Sequence, residues 1–499
     1  MKTHPLLTKS KYLYGLQCPK LLWVVFNAPE RIPEVDQATQ HVFDQGHLVG
    51  ELAKSWFSGG IELGGYDFKE NLVKTKEALR LRKPLFEAGL MQGNIFARAD
   101  ILNPVGKDEW DIIEVKSSAS VKEVHYHDLS FQKYCYKQAG LKIRKCFLMR
   151  ISTEYVRHGE IDPKQLFVIE DVSELVDNAM VGIKGRIDLL FKIISLPKCP
   201  DIKISASCGG IYDACSLHDE CWAFVPNGSV FELWRGGKKA FELLESGVIK
   251  LVDIPTGFKL NDNQQKQKEC YRNGKHHANK QELKTFLESL KYPCYFLDFE
   301  TINPAVPLYD NSGPYDNIPF QFSLHVQEKP NGEFAHHSFL AEGKGDPRPK
   351  LLIALKDVIG NKGSVVAYNA SFEAGVLKDL AEAFPDYKKW IESLLPRIVD
   401  LMTPFSKFYY YHPKQQNSAS LKSVLPILTG KGYDDLDIAE GGTASLEYLR
   451  ITFGDDKGKL PSAEEIKKVR KNLEEYCLQD TEGLTWILAK LRQVINDGK

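Results

Sequence analysis

Two groups of acidic residues sit inside strongly apolar runs of this chain, where an ordinary core does not tolerate them. The first pairs Asp100 with Glu114, the latter in Trp110-Asp111-Ile112-Ile113-Glu114-Val115-Lys116. The second is Asp298 and Glu300 in Cys294-Tyr295-Phe296-Leu297-Asp298-Phe299-Glu300. Ionised carboxylates repel one another and are costly to bury, so apolar segments that carry them point to sites that hold divalent metal ions. The expectation is an α/β chain built around such sites, and 43% hydrophobic residues supply ample core material.

At 499 residues the chain exceeds one compact core, so at least two large domains are expected. Its formal net charge of -1 excludes a globally basic surface, and contact with nucleic acid must come from local Lys and Arg clusters. No apolar run approaches ~18 residues and the N-terminus lacks an apolar signal region, so a cytoplasmic protein with no membrane partner is expected. In that setting the ten cysteines read as thiols or metal ligands, not as disulfides.

Apolar positions recur at helical spacing from Leu6 to about Phe57, for example Val42, Phe43, Leu48, Val49, Leu52 and Ala53. Asn94 to Leu102 then reads as a strand, Asn103 to Gly106 as a turn and Trp110 to Lys116 as a second strand. A helix through Asp128 and Tyr136 follows, then a strand from Lys145 to Ile151. The polar run Asn261 to Lys280 ends a mixed helical linker, after which Cys294 and Ser364 open buried strands.

On one strand Glu114 and Lys116 share a face, and Asp100 comes from the neighbouring strand. Two carboxylates around a divalent ion, with an ammonium to orient a nucleophile or offset charge, suit phosphodiester hydrolysis. Gln132 and Tyr136 align one helical turn apart on the helix that follows. Over about residues 6 to 225 this set resembles the RecB-like branch of the PD-(D/E)XK nucleases, including the CRISPR-associated members. The resemblance implies that Asp100 and Glu114 ligate Mg²⁺ or Mn²⁺, that Lys116 is the catalytic lysine, and that Gln132 and Tyr136 support the site. Gly46 and Glu51 match an early helical motif of that family, but Gly50 stands where a His is usual, and His47 about one turn earlier is either a substitute or a plain surface residue.

Cys208, Cys215 and Cys221 crowd one short segment, and Cys18 sits in Leu16-Gln17-Cys18-Pro19-Lys20. Four thiolates fit an iron-sulfur cluster or a tetrahedral zinc. One early Cys-Pro and three late cysteines resemble the iron-sulfur staple of the same nucleases, which implies a four-iron cluster, with zinc as the alternative. Cys199 is a further thiol that competes with Cys18 for the fourth place, whereas Cys135 and Cys146 read as buried free thiols.

Asp298 and Glu300 alternate with Phe299 and so share a strand face, while Tyr476 and Asp480 lie one helical turn apart. Between them come Asn369-Ala370-Ser371-Phe372-Glu373 and Asp400. This order resembles the DEDD exonucleases of RNase H-like fold, in the subtype with Tyr in the last motif, over about residues 290 to 495. The resemblance implies that Asp298, Glu300 and Asp480 hold two metal ions ~4 Å apart and that Tyr476 positions the attacking water. Glu373 replaces the usual Asp of the second motif, and Asp400 is either a compensating ligand or a structural cap.

The whole resembles an uncharacterised bacterial family that fuses the two nuclease types. It implies a PD-(D/E)XK restriction-endonuclease-like domain with four-Cys cluster over 1–225, a helical linker over 226–288 and an RNase H-like DEDD exonuclease domain over 289–499. The expected activity is metal-dependent nuclease action, on DNA before RNA, in repair, recombination or defence against foreign DNA. A non-catalytic or single-site nucleic-acid scaffold and an RNA-processing exonuclease remain as alternatives. His276-His277 and His336-His337 receive no role, and the basic residues near Trp234-Arg235 read as a solvated face or a backbone contact. No phosphate loop occurs, so any helicase or targeting function falls to protein partners.

Overall fold

The computed structural model describes residues 5–209, 215–455 and 458–496 and is a mixed α/β fold. It forms two compact units, Met1–Phe224 with Pro304–Pro314, and Val225–Asn303 with Tyr315–Lys499. Among the described residues no helix is long and apolar enough to cross a membrane.

Unit 1 is organised on a seven-stranded sheet of β1 (Leu7–Thr8), β2 (Ile61–Glu62), β3 (Leu85–Gln92), β4 (Ile95–Val105), β5 (Glu109–Lys116), β6 (Lys142–Ile151) and β7 (Phe167–Asp171). The strands run in the order β2-β3-β4-β5-β6-β7, and β1 pairs with β4. β5 and β6 are parallel and joined by α4 (Glu123–Gln138), whereas β3, β4 and β5 form an antiparallel meander. Ile112 and Ile113 are both buried, on opposite faces of β5, which explains the continuous apolar run around Glu114. The turn falls at residues 106–108 instead of 103–106: Pro104 stays in the strand opposite Trp110, and Gly106 supplies the positive φ of 56°. The opening helical stretch divides into α1 (Lys9–Gln17), α2 (Pro19–Asn27) and α3 (Gln37–Lys54).

Segment Pro304–Pro314 belongs to unit 1 although the chain around it belongs to unit 2. Ala305 and Val306 enter its apolar core, the Ala305 amide donates to Gln45 at 3.0 Å, and Arg157 donates to the carbonyls of Pro307 and Leu308 at 2.9 and 2.8 Å.

Unit 2 contains β8 (His277–Ala278), β9 (Cys294–Ile302), β10 (Ile318–Gln327), β11 (Phe334–Leu340), β12 (Ser364–Ala367), β13 (Ile398–Asp400) and β14 (Tyr410–Tyr411). Its main sheet has the order β11-β10-β9-β12-β13, antiparallel on the β10–β11 side of the central β9 and parallel on the other. Helices α5 (Ser371–Ala383), α6 (Leu421–Thr429) and α7 (Ala463–Asn496) complete the frame of the second acidic group. The stretch 226–288, expected as a linker, is packed into this unit. Val230, Leu233, Leu243, Leu251 and Ile254 form a small core, β8 pairs with β14, and the Gln267 amide bridges Tyr411 and the Gln416 carbonyl at 3.0 Å each. Its buried apolar residues are dispersed among polar ones, so the run reads as solvated although its inward positions are not.

Candidate functional site

In unit 1 the strand pairing sets Asp100 one residue past the Ile101–Ile113 pair, beside Glu114, and its Oδ2 accepts the Val115 amide at 2.8 Å. Lys116 Nζ donates to Glu114 Oε1 at 2.7 Å and to Asp128 Oδ2 at 3.0 Å, from the same strand face as Glu114. Gln132 Nε2 donates to Glu114 Oε2 at 2.7 Å and to Asp128 Oδ1 at 2.9 Å. Tyr136 does something else: its hydroxyl accepts the Ala99 amide at 2.8 Å and donates to the Ala88 carbonyl, pinning β3 to β4. The register is the same on both sides of it, Phe86–Ile101 and Ala88–Ala99, and between them Glu87 stands at a φ of 56°.

Lys9, from the first turn of α1, joins this group. Its ammonium is 2.8 Å from Glu114 Oε1 and 3.6 Å from Asp100 Oδ1. Burial and the neighbouring Asp100 would raise the Glu114 pKa, but Lys116 and Lys9 outweigh them and hold it below the usual carboxylate range. Burial opposes charge on Lys9, yet Asp100, Asp128 and Glu114 outweigh it and push the ammonium pKa well up. A cleft of about 280 Å³ on this site is lined by His47, Glu51, Glu87, Asp100 and Glu114, so the structure brings His47, and Gly46 and Gly50 with it, to the carboxylates. Burial, then Asp100, raises the Glu87 pKa.

Cys18, Cys208, Cys215 and Cys221 line one cavity of about 180 Å³, and all ten cysteines are free thiols. Burial pushes the Cys215 thiol pKa up, and the neighbouring Cys18, Cys221 and Cys208 add to the shift. Cys199 packs nearby against Leu21 and Val24 but is engaged by the Arg31 guanidinium and is absent from the cavity lining. Cys135 and Cys146 are fully buried, with thiol pKa values pushed up to about 12 by burial.

In unit 2 β9 presents Asp298 and Glu300, α5 presents Glu373 and α7 presents Tyr476 and Asp480. Glu300, Glu373 and Asp480 are buried, at 7, 2 and 6% exposure. Burial is the largest cause of every pKa shift here. It raises Asp298 well above the carboxylate range together with Asp480, Glu300 and Glu373, and raises Glu300 together with Asp480. Glu373 is pushed up to about 8 and Asp480 to about 6. The Glu373 Oε2 is buried without a hydrogen-bond partner. Four mutually repelling carboxylates with an orphaned oxygen fit a hard divalent cation, which would satisfy that oxygen and cancel the repulsion. Asp400 stands at the edge of this group: its Oδ1 accepts the amides of Asn369 at 3.0 Å and Met402 at 2.9 Å.

Several members of the second group carry no sequence signature. The Tyr433 hydroxyl donates to Asp480 Oδ1, and Tyr476 lies beside the same carboxylate. Lys422 on α6 sits 5.8 Å from the Tyr433 ring centroid and 5.6 Å from that of Tyr476, and its charge offsets the upward shifts of Glu300 and Asp480. A side chain at Gly441, the first residue of the helix Gly441–Phe453, would come within 3.7 Å of Glu300 Oε2 and 3.8 Å of the Tyr476 hydroxyl. The Cys477 thiol is 3.7 Å from Asp298 Oδ2, and donor atoms of Asp298, Glu300 and Cys477 lie within 4.8 Å of one another. Cys477 was legible in part, being three residues before Asp480 and so on its helical face.

Residues 295–420 match the family described as "Domain of unknown function (DUF2779)". That stretch holds Asp298, Glu300, Glu373 and Asp400 and stops before Tyr476 and Asp480. The "Uncharacterized protein MG366 homolog" of Mycoplasma pneumoniae is 24% identical, over 43% of this chain and 34% of that protein. "Uncharacterized protein MG366" of Mycoplasma genitalium is 24% identical over 46 and 36%, and "Uncharacterized protein UU173" of Ureaplasma parvum is 30% identical over 28 and 21%. The chain thus spans about a third or less of the length of these curated relatives. The matches fit an uncharacterised bacterial family.

Proposed function

We propose that the protein is a metal-dependent nuclease that hydrolyses phosphodiester bonds, DNA in preference to RNA, with the unit 2 carboxylates as its principal site. One observation carries the reading: Asp298, Glu300, Glu373 and Asp480 come together from three distant segments, the first half-buried and the other three buried, and all have raised pKa values. Divalent ions, when bound there, supply charge that stabilises the attacking and leaving oxygens. The chain's own contribution is to aim Tyr476 at the attacking water, to fix Asp480 through Tyr433, and to hold Lys422 at the rim for a phosphate. The mixed sheet with the acidic strand at its centre supports an RNase H-like reading of unit 2, and Lys116 beside Glu114 on the central meander supports a PD-(D/E)XK reading of unit 1.

End-labelled single-stranded DNA and RNA, incubated with Mg²⁺ or Mn²⁺, test the proposal. Asp298→Ala is expected to lower turnover by at least about a hundredfold, and Lys116→Ala to remove a separate part of the activity. Wild-type protein that cuts neither polymer would overturn it. A single-site version is favoured by one feature: Glu114 is already satisfied by Lys9, Lys116 and Gln132. In that version Lys116→Ala leaves cleavage intact.

The four thiols of unit 1 are read as ligands of a four-iron cluster, zinc being the other group that such a donor set fits. Its role in unit 1 would be to tie α2 to the segment after Cys199. A broad visible absorbance in anaerobically purified protein, lost in Cys18→Ser and kept in Cys199→Ser, is the expected result. Bound zinc without that absorbance selects the alternative.

A further inference from the structure

Lys9 occupies an unusual place. β1 fixes it, since Leu7 and Thr8 pair with Ile95 and Phe96 and the Leu7 amide donates to the Asn94 carbonyl at 2.9 Å. The next residue therefore projects its ammonium between the two carboxylates that the nuclease reading assigns to a metal, 2.8 Å from Glu114 and 3.6 Å from Asp100. A divalent ion on those oxygens would lie against the Lys9 ammonium and be repelled by it, in addition to the Lys116 ammonium already on Glu114 Oε1. A quarter of the Lys9 side chain is exposed, and it opens onto a groove of about 420 Å³ that is also lined by Lys116, Lys122, Tyr14, Gln17 and Phe43. Three lysines line the groove against one carboxylate, Asp128, which pairs with Lys116, so the groove keeps a positive excess that suits backbone phosphates, with Tyr14 and Phe43 as exposed rings beside it.

We propose that Lys9 is the resident counter-cation of the Asp100–Glu114 pair, displaced when a divalent ion binds and drawn away by a nucleic-acid phosphate in the adjoining groove. Metal and nucleic acid then load this site together. The idea rests on the nuclease reading of unit 1 and adds a coupling to it. Before substrate arrives the carboxylates are held in place and charge-balanced by Lys9 and Lys116. Once a phosphate engages Lys9, Asp100 and Glu114 are freed as ligands. Linkage requires the reverse as well, so a bound divalent ion raises affinity for the polyanion.

The test is Mn²⁺ binding to the full chain, followed by electron paramagnetic resonance, with unit 2 silenced by Asp298→Asn and Asp480→Asn. Lys9→Met in that background is expected to bind Mn²⁺ about tenfold more tightly. A phosphorothioate oligothymidylate, which resists hydrolysis, should tighten Mn²⁺ binding when Lys9 is present and leave it unchanged in Lys9→Met. Lys9→Gln keeps a hydrogen bond to Glu114 without the charge and serves the same comparison should Lys9→Met disturb folding. Equal or weaker Mn²⁺ binding by both variants overturns the role of Lys9 and leaves the metal reading standing. If no arm binds Mn²⁺ in a manner that Glu114→Gln abolishes, both fall.

Discussion

The two acidic groups are alike in sequence and opposite in electrostatics. In unit 1 three carboxylates, Asp100, Glu114 and Asp128, face two ammoniums, Lys9 and Lys116, and the Glu114 pKa is lowered. In unit 2 three buried carboxylates and the half-buried Asp298 are gathered together, Lys422 stays at the rim, and all four pKa values are raised. Burial acts in the same direction on both groups, so the difference lies in which cations the fold itself supplies. Unit 1 offsets its carboxylates with two ammoniums of its own. Unit 2 supplies only Lys422 at its rim.

The strongest way to break this contrast is to remove one carboxylate from each group in metal-free protein. Glu114→Gln leaves Lys9 and Lys116 side by side without their shared partner. Since removing one member of a buried pair costs 3–5 kcal/mol and these lysines are partly exposed, unit 1 should lose about 2 kcal/mol. Asp298→Asn relieves repulsion, and unit 2 should gain about 1 kcal/mol while catalysis is lost. Hydrogen exchange in EDTA, followed on peptides of each unit, reads the two effects separately. The same sign in both would end the contrast.

A smaller effect is the response to pH. In unit 2 the folded pKa values of Asp480, about 6, and Glu373, about 8, exceed the unfolded values near 4. The native state therefore binds more protons than the unfolded state across this window. Their contribution to metal-free stability is fully present below the unfolded values near 4 and is lost as pH rises through 6 to 8. In unit 1 the Glu114 pKa is depressed, so its contribution is present above the unfolded value near 4 and is lost only as pH falls below it. Melting in EDTA between pH 5 and 8 should weaken unit 2 and spare the Glu114 contribution to unit 1. Mn²⁺ should protect unit 2 more as pH rises, because its ligands must be deprotonated.

Much of this arrangement is legible in the chain because it rests on short-range periodicity. Glu114 and Lys116, or Asp298 and Glu300, share a face by strand alternation, and Tyr476 and Asp480 by one helical turn. The thiols could be grouped from spacing, but the choice between Cys18 and Cys199 depended on where α2 lies. Lys9, Glu87, Lys422 and Tyr433 were invisible for one reason: each reaches its group through long-range packing, and Glu87 also through a positive φ that its residue type does not signal. Pro304–Pro314 shows the same limit at the level of domains, since nothing local marks a strand connection as part of the other unit's core.

The smallest effect concerns Asp400, which separates ligand from support within unit 2. Its Oδ1 accepts two backbone amides, and one of them belongs to Asn369, held at a φ of 62° just before α5 and so before Glu373. Asparagine retains that acceptor oxygen and loses only the charge, so Asp400→Asn should change stability by less than about 0.5 kcal/mol. Asp400→Ala removes both hydrogen bonds and should cost about 1–2 kcal/mol. Losing the Asp400 charge also removes one contributor to the raised Glu373 pKa, so Asp400→Asn should slightly lower the pH at which the Glu373-linked destabilisation ends and reduce its size. If instead Asp400→Asn weakens Mn²⁺ binding as strongly as Asp298→Asn does, Asp400 is a fifth ligand and the carboxylate group extends to β13. Retention of Mn²⁺ affinity in Asp400→Asn, with a loss only in Asp400→Ala, identifies Asp400 as the brace that sets the start of α5.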